Sequence, residues 1–457
     1  MSGWSSRVHR KRSLSTMGCS SKRRGRTTPA GVTSSAEPDA SSSWASMQPD
    51  LVRLIGWRLL ETGDLLDYVR FRAVCHHWRS STVCPRGRGV ADPRFHPRRW
   101  MMLPEGHGLH PGHGKLGKYI RFINLSTGAI VRSKLPLFSD HCALDSVDGL
   151  LLLQRDQDTA IRLLHPFTGD IAELPPLITL LRQFKFLFSS TEDSPQTRRI
   201  WSKFRKIGST SVSVSADGAI TVMIIISGIK CLAIATVGDQ QWSVARRNLS
   251  FSLNPVSLQG RIYILDHVSA TTRIFQILPP QHDAKPSASS SSVPPPPELI
   301  ATGPPSEHRI SSYLAECDSE ILLICLGHPI FSRITVYRLA DLILGRFVPV
   351  TSIGDNVLFV SGRILSVSSK VLPNVEGNSL LMVPCGGKVY LGQYQLSTST
   401  WCPAADGSIS NFLPGPCSLI HHIFTCCYRT LWNKGAICFQ VKGNLSWNVK
   451  RKWRNGA

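Results

Sequence analysis

The apolar positions change rhythm once the first eighty residues are passed. Over 49–60, Leu51, Leu54, Ile55 and Leu59 fall at i, i+3, i+4 and i+8, one stripe of a helix. Pro49 suits its first turn, where a missing N–H is no loss. Thr62-Gly63 should stop that helix, and Asp64 is a good N-cap for a second over 65–69. A third amphipathic stretch places Phe71, Val74, Cys75 and Trp78 at i, i+3, i+4 and i+7. Three short helices bury little surface on their own, so part of their apolar stripe is expected to meet a partner.

From about residue 116 the signal becomes short, β-branched apolar runs between Gly, Pro, Asn and Ser turns, which predicts strands. The run 219–237 reads as two buried strands around Ser227-Gly228. One repeat can be aligned: 121–130 (RFINLSTGAI) matches 162–171 (RLLHPFTGDI), and Leu-Pro follows each. That offset lies within the roughly 40–50 residues of a four-stranded propeller blade. Residues 394–401 (YQLSTSTW) are a partial echo, and Gly149, Gly260, Gly362 and Gly387 each open a β-rich run.

These patterns predict an α+β multi-domain chain: a small three-helix module over 44–82, then a large all-β body over 116–440, a six- or seven-bladed β-propeller. A pair of β-sandwiches or an open β-solenoid would also fit the irregular spacing elsewhere. Residues 1–43 form a basic arm, 83–115 a linker, 279–308 a Pro/Ser-rich loop insertion, and 441–457 a basic tail. No uninterrupted apolar run reaches 18 residues, so no membrane-spanning helix is expected.

Composition narrows this further. Of 457 residues, 42% are hydrophobic, which excludes wholesale disorder. The net charge of +22 concentrates in 1–43, 70–121 and 442–457, leaving the long middle almost neutral. Clusters such as Arg10-Lys11-Arg12 fit a solvated arm, a nuclear-import signal or a transit leader. A nuclear, nucleic-acid-associated protein using these basic arms is the second functional reading, with Trp447 and Trp453 flanking Lys450-Arg451-Lys452 as its main hint. Against it, no long basic stretch is interleaved with stacking aromatics. The first residues lack the apolar stretch of a secretory signal, so the thirteen cysteines are expected to be reduced thiols in the nucleus or cytoplasm.

Candidate chemistry is sparse. The G-x-G-x-x-G string at 112–117 precedes a strand instead of following one, so it is not expected to bind a nucleotide. His107, His110 and His113 share a Gly/Pro-rich stretch with no nearby cysteine, which favours a plain linker over a metal site. Among Cys417, His421, His422, Cys426 and Cys427 no pair has zinc-finger spacing. Adjacent cysteines on a strand would point to opposite faces, so buried structural thiols are expected. Nucleophile elbow, P-loop and zinc-protease motifs are missing, and the scarce carboxylates suggest no acid–base pair. No cofactor, metal or catalysis of its own is expected.

Segment 44–82 resembles an F-box. The resemblance is carried by Trp44, the turn from Met47 to Leu51, Ile55, Leu59, and the run Phe71-Arg72-Ala73-Val74-Cys75 followed by Trp78-Arg79. Asp341-Leu342, 352–356 (SIGDN), Leu358-Phe359-Val360 and 416–435 look like the plant F-box-associated domain of unknown function 295. The resemblance implies docking of a Skp-type adaptor through Pro49, Asp50, Leu51, Ile55, Leu59, Val74, Cys75 and Trp78. Through that adaptor it implies a cullin-based ubiquitin ligase, with a target protein gripped by the β body.

Overall fold

The structure is a computed structural model that describes residues 44–61, 64–103, 119–155, 158–184, 206–245, 255–268, 271–280, 296–305, 311–327, 333–372, 374–382, 390–408, 419–429, 432, 436–441 and 444–449. The chain divides into two units, 1–46 and 47–457. The described residues of the first form one 3-10 turn, Trp44–Ser46.

The second unit opens with helix α1, Pro49–Glu61, and helix α2, Leu65–Arg72. Asp64 caps α2 as its sequence position predicts: Oδ1 accepts the N–H groups of Leu66 (2.9 Å) and Asp67 (3.3 Å). The third helix differs from the periodicity. Phe71 belongs to α2, the chain turns at Ala73 and Val74, and Cys75 is extended as the N-cap of α3, His76–Ser81. Its Sγ accepts the Trp78 N–H at 3.4 Å, satisfying one of the amides a helix start leaves free.

Six sheets follow. Blade 1 holds Trp100–Met102, Tyr119–Asn124 and Ile130–Lys134. Blade 2 holds His141–Val147, Leu150–Arg155, Ile161–Leu164 and Ile171–Leu174. Blade 3 holds Ile207–Val214, Ile220–Ile226, Cys231–Thr236 and Ser243–Ala245. Blade 4 holds Val256–Leu258, Arg261–Val268, Thr271–Ile277 and Glu298–Thr302. Blade 5 holds Ser311–Cys317, Glu320–Leu326 and Ile334–Arg338. Blade 6 is ordered Leu365–Ser368, Asn356–Phe359, Ser379–Met382, Tyr390–Gln395 and Thr400–Ser408, with one parallel pair between its second and third members.

The apolar core is distributed between blades. Separate clusters join blades 2 and 3, 3 and 4, 4 and 5, and 5 and 6. A further cluster spans blades 6, 1 and 2 and closes the ring, so this is a six-bladed β-propeller. Blade 3 shows why such strands need no polar face. Every residue of Ile220–Ile226 is buried, because each face of the sheet meets a neighbouring blade. Its bulky side chains each contribute about 1.5–3 kcal/mol on burial.

The aligned repeat is the outer hairpin of blades 1 and 2. Asn124 Oδ1 accepts the N–H groups of Ser126 and Thr127, and the matching His165 Nδ1 accepts those of Phe167 and Thr168. Gly128 and Gly169 then adopt φ of 73° and 79°, which favours glycine. Two chemically different side chains thus hold the same turn.

Several boundaries differ from expectation. Trp100–Met102, in the expected linker, is a strand, because its side chains enter the cluster that closes the ring. Glu298–Thr302 pairs with blade 4, within the expected Pro/Ser loop. Ala436–Val441 and Asn444–Val449 form a hairpin, where a tail is expected from 441. The arms at 1–43 and 450–457, the stretch with His107, His110 and His113, and the loop residues 281–295 lie outside the described residues. No described helix is long and apolar enough to cross a membrane.

Candidate functional site

One face of the helical module is bound tightly to the propeller. Val52, Gly56 and Leu60 form the buried side of α1. Leu60, Leu65, Tyr68 and Phe95 make a small core, with Trp57 stacked on Tyr68 at 6.4 Å between ring centres. Tyr68 donates its hydroxyl to the Val83 carbonyl at 2.7 Å. Phe95 then connects to blade 2, its carbonyl lying 3.0 Å from His165 Nε2. Asp170, from the second copy of the repeat, accepts the N–H groups of Gly87 (2.9 Å) and Gly89 (2.7 Å).

The opposite face is left open. The stripe expected from the sequence is not what fastens α1 to its own chain. Leu51 is 50% exposed, Leu54 54%, Ile55 37% and, beyond α2, Val74 61%. Pro49 and Asp50 are exposed, while Leu59, Cys75 and Trp78 are half-buried. Trp78 leans on Phe71, ring centres 4.4 Å apart. His77 Nε2, 2.7 Å from the Met47 carbonyl, fixes α3 beside the start of α1. Both ends of the stripe are therefore held while its apolar side chains remain in solvent. Val69, 44% exposed, joins them and was not singled out by the helix periodicity.

A second feature could not be read from any local pattern. Inner-strand segments of blades 2 to 6 surround a narrow axial channel of about 70 Å³. Asp145 from blade 2 lies in its wall, 2% exposed. Arg429, beyond the last blade, grips it with Nε at 2.7 Å and Nη2 at 3.3 Å, and Arg363 adds a third contact at 3.4 Å. Burial lowers the Arg363 pKa, and the Asp145 carboxylate opposes that effect. The channel opens into a cavity of about 660 Å³, walled on one side by Leu54, Trp57 and Leu60 of α1. Asp148 and Glu316 line both spaces. Glu316 still reaches the cavity's solvent, yet the surrounding protein pushes its carboxyl up to about 7, and Asp148 adds to the shift.

The tempting cysteine–histidine set takes another form. Leu419–Cys426 is a helix (α4), not a strand, because its apolar side chains fit between blades 1 and 6. Cys426 and Cys427 are buried and donate to the carbonyls of Met102 and Phe359 at 3.7 and 3.8 Å. Burial pushes the Cys427 thiol up to about 12 and raises that of Cys426, which suits neutral packing thiols. Among the described residues no group of three His, Cys, Asp or Glu side chains could hold a metal ion.

Residues 122–397 match a family model described as KIB1-4 beta-propeller. No curated protein matches the chain. Among solved structures, the β-propeller domain of Cps50 (Swd1) from Myceliophteria thermophila is 12% identical. That alignment covers 66% of this chain and 95% of that one, with a TM-score of 0.22. A puromycin-hydrolyzing peptidase of Mycobacterium tuberculosis is 11% identical over 73% of this chain and 56% of that one, with a TM-score of 0.27. At such low scores neither likeness carries weight for fold or function.

Proposed function

Since the chain belongs to the KIB1-4 β-propeller family, we propose that it is the substrate-recognition subunit of an SCF-type E3 ubiquitin ligase. The three helices act as an F-box that docks a Skp-type adaptor, and the propeller holds a target protein. The chain performs no catalysis. Holding target lysines near a ubiquitin-loaded enzyme converts a bimolecular encounter into a local one, and the rate comes from that proximity.

The observation that carries this reading is the exposed apolar ridge of Leu51, Leu54, Ile55 and Val74, on a module whose other face is committed to the propeller. Exposed apolar side chains clustered at helical spacing suit a helix-in-groove contact. Each would be worth about 1.5–3 kcal/mol if fully covered. Pro49 and Asp50 begin the helix that carries the ridge, Cys75 accepts the Trp78 N–H, Trp78 leans on Phe71, and in this reading the half-buried Leu59, Cys75 and Trp78 complete the adaptor surface.

The test is co-purification. A Skp-type adaptor should be recovered with the wild-type chain and lost from the Leu51→Ala/Trp78→Ala variant. Equal recovery from both would reject the assignment.

A further inference from the structure

Blades 2, 3 and 4 have four strands each, whereas blade 1 has three among the described residues and ends on Ile130–Lys134. The direction of that strand's backbone groups follows from its register. Asn124 N–H donates to the Ala129 carbonyl at 2.9 Å, so the facing pairs Phe122/Val131 and Ile120/Ser133 exchange the ladder hydrogen bonds. The amides and carbonyls of Ile130, Arg132 and Lys134 therefore point away from the blade, and no described residue meets them. Blade 5 also has three strands, but its outer edge is covered. There Val350 N–H donates to the Val336 carbonyl at 2.7 Å, and the Tyr394 hydroxyl accepts from Ile334 N–H at 3.2 Å. Of the two three-stranded blades, blade 1 is the one whose ladder ends free among the described residues.

The side chains along this edge are cationic. Arg132 stands opposite Arg121, and Lys134 opposite Tyr119, which is 45% exposed. Like charges facing each other across a ladder are destabilising. Among the described residues no carboxylate pairs with Arg132 or Lys134. Ile130, 51% exposed, continues the same face towards the turn. The other face of the strand is fixed: Ser133 donates its hydroxyl to the Pro166 carbonyl of blade 2, and Val131 packs on the cluster that closes the ring. The edge is thus rigid before a partner arrives, which lowers the ordering cost of binding. Charged side chains on an edge keep neutral and basic strands from pairing with it. The same charges admit an acidic one.

We propose that blade 1 takes up an extended acidic segment of a partner protein as a fourth strand, antiparallel to Ile130–Lys134. Main-chain hydrogen bonds to Ile130, Arg132 and Lys134 hold the segment, as in strand addition to other sheet edges. Strand side chains alternate, so carboxylates two residues apart meet Lys134 and Arg132, and an apolar side chain two further on meets Ile130. The pattern recognised is acidic-x-acidic-x-apolar. Its carboxylates also relieve the repulsion between Arg132 and Arg121. The inference rests on the reading of the propeller as the body that holds the target, and gives that target its chemistry. The surface shares no residue with the ridge of Leu51, Leu54, Ile55 and Val74, so the segment binds without an adaptor.

The test is fluorescence anisotropy of the labelled peptide Thr-Glu-Thr-Glu-Thr-Val-Thr with the full-length chain, no adaptor being present. Three further peptides share its length: glutamine replaces glutamate in one and lysine in another, and the last keeps both glutamates but carries N-methyl groups on their amides and on the valine's. The acidic peptide should saturate by millimolar concentration, with each of the other three at least about tenfold weaker. Arg132→Glu/Lys134→Glu, at two exposed positions, should reverse the preference, so that the lysine peptide binds at least about tenfold tighter than the glutamate one. Equal binding of the methylated peptide would reduce the attraction to net charge and overturn the proposal. So would the absence of saturation in the wild type, or an unreversed preference in the folded variant. Should that variant misfold by circular dichroism, the wild-type peptide series decides alone. Failure here leaves adaptor recovery untouched, whereas loss of adaptor docking with peptide binding intact would remove the ligase reading and leave this surface.

Discussion

Arg429 reaches Asp145 across 284 positions of sequence and binds it through two nitrogens, at 2.7 and 3.3 Å. The contact ties the segment after the last blade to the inner strand of blade 2, while helix α4 fills the space between blades 1 and 6. Ring closure in this propeller therefore rests on an ionic contact as well as on apolar packing. Removing one partner leaves a buried charge poorly compensated, which generally costs about 3–5 kcal/mol. Arg429→Ala should fall near about 3 kcal/mol, because Arg363 still reaches the carboxylate at 3.4 Å. Asp145→Ala, which strands both arginines, should cost more. Urea unfolding midpoints followed by tryptophan fluorescence give both values.

Gly149 is the tightest backbone approach between blade 2 and the segment that leads to blade 1. A Cβ there would lie 2.0 Å from the Pro97 carbonyl oxygen, in a conformation with φ 79°. Neither atom can yield cheaply, so Gly149→Ala should destabilise the protein by at least about 2 kcal/mol. By contrast, Gly218→Ala shares the positive φ but meets no neighbour, and should show only the conformational penalty, about 1 kcal/mol. Thermal unfolding of the two variants side by side separates steric from conformational cost.

The two faces of the helical module should respond oppositely to truncation. Leu51→Ala, Leu54→Ala and Val74→Ala remove exposed side chains, so each should change stability by no more than about 0.5 kcal/mol. Tyr68→Ala removes a ring that is 1% exposed together with its hydrogen bond to Val83, and should cost about 3 kcal/mol or more. If the ridge variants prove as damaging as Tyr68→Ala, the ridge belongs to the protein's own core.

Glu316 gives the fold a pH dependence of defined sign. Its carboxyl is raised from 4.5 to about 7 by its surroundings, with Asp148 second, so the folded state holds that proton more tightly than the unfolded state does. The stabilising contribution of the protonated group is present below about pH 4.5 and is lost as pH rises through about 7. Cavity solvent mutes its size. Glu316→Gln should accordingly flatten this part of the profile and melt above the wild type at pH 8. A melting temperature series from pH 5 to pH 8 checks it; a variant curve parallel to the wild type's would remove Glu316 as the cause.

The legible parts of this protein are those with a local cause. Helices α1 and α2 follow from a 3.6-residue stripe, a first-turn proline and the Asp64 cap, all within a few residues of one another. The repeat at 121–130 and 162–171 is visible because one turn geometry demands an acceptor at its start and a glycine at its end. The three-residue strand Trp100–Met102 carries no such signal, since its conformation comes from pairing with Tyr119–Asn124. Helix α4 reads as a strand because its apolar side chains fit either form, and only the gap between blades 1 and 6 decides. The charged floor of the channel is least legible of all. Asp148 and Glu316 come from strand ends of opposite blades, and only closure of the ring brings them together.

Hydrogen–deuterium exchange on the full-length chain, with and without a purified Skp-type adaptor, tests the docking assignment most directly. Protection should appear at α1 around Leu51 to Ile55 and at the Val74 to Trp78 segment, with the outer strands of the blades unchanged. Exchange left unaltered across those two segments at saturating adaptor, or protection confined to the blades, would contradict it.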